Sequence, residues 1–169
     1  MDQFDRYERD GVGVMASNGN SAWIQASGST TQILNAAATP ERVIIDNIDE
    51  ASGIENENNG EFRVSEGGAY FVMAAPQVGR KADGPVANLR CWLSTNGSNV
   101  PNSDVLLDLE NADIKDVIVC QGIVSLNAGD LVTVMVETNT ADAGVALEAI
   151  HPTPTEPLVP SIIFTMFKV

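Results

Sequence analysis

The chain has 169 residues, 44% of them apolar, with 9 Lys and Arg against 23 Asp and Glu. That length and apolar share suit one domain with a sizeable core. The formal net charge of −14 repels phosphate backbones and anionic bilayers, which argues against nucleic-acid partners and membrane insertion, and no apolar run approaches the ~20 residues that cross a bilayer.

Residues 1–20 open with a mixed-charge stretch from Asp2 to Asp10 and continue through Gly11, Gly13, Ser17 and Gly19. Their apolar content is too small to bury, so they read as a flexible N-terminal arm ahead of a single domain over 21–169. Met1 to Arg6 lack a basic-then-apolar leader, and a protein made in soluble form is expected. Short strands are predicted over 21–26, 30–34 and 42–46, and the acidic, Asn-rich segment 47–60 reads as an exposed loop. After an alternating strand at 61–64 and a turn at Glu66, Gly67 and Gly68, residues 69–75 are apolar on both faces. Tyr70 and Val72 share one face; Phe71 and Met73 share the other. Residues 77–86, with the adjacent pair Arg80 and Lys81, read as the next loop.

A strand over 88–94 runs through Leu89, Cys91 and Leu93, turns at Asn96 and Gly97, and is followed by a strand at 105–109. Residues 117–126 and 131–136 then read as a hairpin across Asn127, Ala128, Gly129 and Asp130. Val132, Val134 and Val136 line one face of its second strand, while Leu131 and Met135 lie on the other. A further strand covers 145–150, and Pro152, Pro154, Pro157 and Pro160 impose an extended connection before a last strand over 161–169. About ten strands with regular turn signals and no 3.6-residue periodicity predict an all-β sandwich or jelly roll. C-terminal truncation is expected to damage the fold and N-terminal truncation to spare it.

Cys91 and Cys120 sit in apolar runs and read as buried small hydrophobes, with a disulfide as the alternative. His151 stands beside Pro152 in a loop, no Gly-X-Ser-X-Gly motif occurs, and a non-enzymatic protein without cofactor is expected. Two acidic clusters, one of Asp46, Asp49, Glu50, Glu55 and Glu57 and one of Asp104, Asp108, Glu110, Asp113 and Asp116, read as solvated loops, with a calcium site as the alternative. Gly129 and Asp130 form a structural turn in which glycine supplies the backbone freedom and the carboxylate accepts turn amides.

Three blocks resemble the jelly-roll superfamily of the complement globular head and tumour necrosis factor. They are Phe62 through Val72, Val124 through Val134 with its Leu126, Gly129, Asp130 and Val132, and Pro160 through Phe167. The wording of Leu93, Ser94, Thr95, Asn96 and Gly97 and of the acidic loops looks most like versions in virion proteins of large DNA viruses and tailed phages. The resemblance implies a compact homotrimer whose inner sheet, built from 70–75, 131–136 and 161–169, faces the threefold axis. Phe71, Met73, Leu131 and Met135 are then expected to form one contiguous apolar interface. It also implies a non-catalytic structural or adhesive module on a virion, contacting other virion proteins or a host-surface molecule. The alternative is a secreted trimeric ligand that binds a receptor.

Overall fold

Burial alternates with period two along the longer strands, as in Leu131–Thr138, where Val132, Val134, Val136 and Thr138 are buried and the residues between them are not. The structure, a computed structural model, describes residues 22–81, 85–112 and 115–169; the predicted arm over 1–20 lies outside them. The described residues contain no helix. Their strands are β1 (Trp23–Gly28), β2 (Gln32–Ile33), β3 (Glu41–Arg42), β4 (Asn47–Ser52), β5 (Ile54–Glu57), β6 (Glu61–Val64), β7 (Gly68–Arg80), β8 (Ala87–Thr95), β9 (Ser98–Asn99), β10 (Val105–Leu109), β11 (Lys115–Val117), β12 (Cys120–Leu126), β13 (Leu131–Thr138), β14 (Val145–Leu147) and β15 (Ile162–Lys168). They exceed the expected number because several are only two or three residues long.

The strands form two antiparallel sheets packed as a jelly-roll sandwich. The eight-stranded sheet runs β2-β14-β7-β15-β1-β4, with β11 and β12 along the other edge of β7. The seven-stranded sheet runs β10-β8-β13-β6-β5, with β3 beside β13 and β9 beside β8. One core fills the space between them, and near its centre Phe62 of β6 stacks on Phe164 of β15 with ring centroids 3.9 Å apart. Tyr70 is fully buried and its hydroxyl donates to the Glu66 carbonyl at 2.9 Å, so burying the phenol leaves no unmet polar group.

Three sequence expectations are corrected. The predicted hairpin does not exist: β12 pairs with β7 and β13 with β8, so the turn at 127–130 carries the chain from one sheet to the other. Period-two patterning shows which residues face the core, but both sheets offer the same core, so it does not show which sheet a strand joins. The segment 47–60 is not a loop. It holds β4, whose six side chains are all exposed, and β5, which buries only Ile54; strands paired at sheet edges with their side chains in water require no apolar pattern. Finally, β7 continues through Gln77 to Arg80. Pro76, which has no amide to give, sits where the partner changes from β12 to β11, and therefore does not break the ladder.

Candidate functional site

On β7 the side chains of Phe71 and Met73 alternate with buried Tyr70, Val72 and Ala74, and so point out of the sandwich on the eight-stranded side. Lateral pairing places partners beside them. One row reads Trp23, Phe167, Phe71 and Ile123 across β1, β15, β7 and β12. The next row reads Gln25, Thr165, Met73 and Gln121. The rings of Phe71 and Phe167 are in tilted contact with centroids 5.3 Å apart. Ile123 is 68% exposed and Phe167 40%, with Ile163 four residues earlier along β15 at 38%. The face is thus an aromatic and aliphatic row flanked by the uncharged Gln25, Thr165, Met73 and Gln121. Asp49 and Glu50 border it beyond Trp23 and Gln25, and an ion pair between Lys168 and Glu66 at 3.0 Å lies near its other end.

Leu131 and Met135 lie elsewhere. With Thr133 they point outward from the seven-stranded sheet, lining a shallow groove with Trp92, Ile44 and Pro40. The Trp92 indole N–H donates to Asn99 Oδ1 at 2.8 Å. Phe71 and Met73 are therefore separated from Leu131 and Met135 by the whole thickness of the sandwich, and the four form no contiguous patch. The inner sheet implied by the resemblance is corrected accordingly: it keeps 70–75 and 161–169 and loses 131–136 to the opposite layer.

The turn at 127–130 is held from several sides. Gly129 adopts φ of 90°, a conformation that L side chains rarely adopt. Asp130 Oδ2 accepts the Asn127 amide at 2.7 Å, Asp130 Oδ1 accepts the Asn96 side chain at 2.9 Å, and Arg63 donates to the Gly129 carbonyl at 2.7 Å. Hydrogen bonds from the Asn127 amide and from Asn96 hold the Asp130 carboxyl below its ordinary range. The turn thereby ties together the ends of β6, β8 and β12.

Two buried charges emerge from the segment read as a loop and its surroundings. Arg80 is 2% exposed and its guanidinium donates to the carbonyls of Ala143, Leu109, Glu110 and Pro85. Glu148 is likewise buried, paired with Lys81 at 3.0 Å and with Lys115. Burial pushes the Glu148 carboxyl up, but the hydrogen bonds from Lys115 and Lys81 more than offset this and leave it lowered. Of the acidic clusters, Asp46 accepts from the Ser29 amide and hydroxyl, Asp104 pairs with Arg90, and Asp113 lies outside the described residues. Among the described residues no three acidic, His or Cys side chains converge as a metal-binding group. His151 is exposed in the connection before β15.

Solved structures of murine APRIL, a member of the tumour necrosis factor family, superimpose on the chain. The one at pH 8.0 has a TM-score of 0.55 at 14% identity, covering 88% of this chain and 99% of that one. Those at pH 5.0 and pH 8.5 each give 0.54 at 13% identity with the same coverage. The fold is a TNF-like jelly roll. No protein-family model and no curated protein matches the sequence. The jelly-roll fold implied by the three sequence blocks is thus met, while nothing found favours the virion versions over the others.

Sequence reading named Phe71 and Met73 but missed Trp23, Ile123 and Phe167, which complete the row. Trp23 and Ile123 stand beside polar outward neighbours, Gln25 for the first and Gln121 and Ser125 for the second, and only lateral register assembles the row.

Proposed function

We propose that the chain is a homotrimeric, non-catalytic recognition module of the TNF type, which packs three copies through the exposed face of its eight-stranded sheet and offers its loops to a receptor-like protein. The observation that carries this reading is the row Trp23, Phe167, Phe71 and Ile123. A soluble monomer rarely leaves so large an apolar surface in water. Covering each Phe or Ile contributes about 1.5–3 kcal/mol, and a closed symmetric assembly covers them all at once. Residues flanking the row within the face are uncharged, as the centre of a protein interface requires. The resemblance of the sequence blocks and the likeness to murine APRIL support the same arrangement. Placement on a virion rests only on the wording of the loops and is the weaker home for the trimer.

Sedimentation equilibrium at micromolar concentration tests the proposal. A mass three times the 17.9 kDa of the chain is expected, and a stable monomer overturns both the interface and the recognition role built on it.

A further inference from the structure

Sheets of a sandwich ordinarily stack about 10 Å apart, yet Cα atoms of β8 and β12 approach within 8 Å across the core. The local sequence explains the pinch. Gly122 contributes no side chain, and a Cβ placed there would stand 3.8 Å from Leu93 Cδ1. Two residues earlier on each strand stand Cys120 and Cys91, both fully buried on the inward faces and both free thiols. Hydrogen bonding to the Cys120 thiol, followed by burial, raises the Cys91 pKa well above its ordinary value. A disulfide needs Cα atoms roughly 4.4–6.8 Å apart, so strands already drawn this close need only a small further shift.

We propose that Cys91 and Cys120 are a latent inter-sheet latch, closing to a disulfide when the chain folds in contact with a small-molecule disulfide oxidant. In the balanced step, one thiolate attacks the oxidant and expels one thiol. The second thiolate then attacks the mixed disulfide and expels the other, so two protein thiols become one S–S bond as the oxidant is reduced to two thiols. Both native thiols are buried away from an oxidant in solution, and the raised pKa of Cys91 makes that thiol a poor nucleophile once folding is complete. Closure therefore belongs to folding, and the latch records the redox state in which the chain folded. It would join strands from opposite sheets and add stability chiefly by restricting the unfolded chain.

The test is refolding of the full chain from denaturant in oxidised glutathione or in excess reduced thiol. Each sample is then unfolded in a thiol-alkylating reagent and weighed intact. The oxidised sample should take up no alkyl groups, weigh about 2 Da less than the unmodified chain, and melt about 5–10 °C higher, with the gain abolished by reductant. Peptide mapping should recover the Cys91–Cys120 cross-link. Cys91→Ala and Cys120→Ala should each leave one reactive thiol and lose the melting gain. Full alkylation of the oxidised sample, or only mixed disulfides and disulfide-linked dimers, overturns the proposal, and the intact mass of the unmodified chain decides even where a variant fails to fold. Trimer formation is measured separately, so the two readings fail independently.

Discussion

The carboxylate of Glu148 lies directly over Gly79, so that a Cβ at Gly79 would stand 2.2 Å from Glu148 Oε1. The backbone amide of Glu148 donates to the Gln77 carbonyl at 2.8 Å, and the side chain then reaches across β7, over Gly79 with its missing side chain, to Lys115 on the neighbouring strand. Gly79→Ala should therefore displace the carboxylate and lower stability by about 1–3 kcal/mol, the usual range for overpacking. Urea unfolding of the variant checks it. If Gly79→Ala and Glu148→Ala act through the same contact, their effects should be strongly non-additive in a double-mutant cycle.

The same carboxylate should leave a signature in acid. Its folded pKa is lowered, so its contribution is present above the unfolded carboxyl value and is lost as pH falls through the lower, folded one. Stability should decline as pH drops below about 4.5, and Glu148→Gln should flatten that part of the profile. Chemical denaturation at a series of pH values between roughly 2 and 7 measures it. An unchanged slope in the variant would mean that other carboxylates account for the acid sensitivity.

Arg80 should tolerate almost no replacement. Four backbone carbonyls accept hydrogen bonds from one planar group, and removing it leaves buried acceptors unmet. Arg80→Met should lower stability by about 3 kcal/mol or more, and Arg80→Lys should rescue little because an ammonium group cannot span the same fork. Thermal melts of the two variants side by side provide the comparison.

The oligomer interface makes a differential prediction. Phe71→Asp or Phe167→Asp should convert trimer to monomer, since each places a charge in the apolar row. Leu131→Asp and Met135→Asp should leave the sedimenting mass unchanged, because both residues face the opposite side of the sandwich. Dissociation by the second pair and not the first would place the interface on the seven-stranded sheet instead.

How much of this was legible in sequence depended on which physical signal each residue carried. The strands at 61–64, 88–94, 105–109 and 161–169 were readable because alternation or apolar density marks a buried face. Two-sided apolarity in β7 disclosed Phe71 and Met73. By contrast, β4 is exposed along its whole length and held on β1 by backbone pairing and by hydrogen bonds of Asn47 and Asp49 to Ser27, so no apolar pattern could reveal it. Arg80 and Glu148 have side chains that ordinarily mark surface, and their burial depends on carbonyls and lysines distant in sequence. The sheet crossing at 127–130 uses the same Asn, Gly and Asp chemistry as a hairpin, so local residues could not separate the two.

The last strand, β15, lies between β1 and β7, and pairs with both. While a ribosome is still adding residues before Ile162, β1 has only the exposed edge strand β4 beside it and β7 lacks most of one edge. The nascent chain therefore carries open strand edges on β1 and β7 until residues 162–168 emerge, and the eight-stranded sheet can close only once that segment is available. A chain halted before Ile162 is expected to present those edges to chaperones or to other chains.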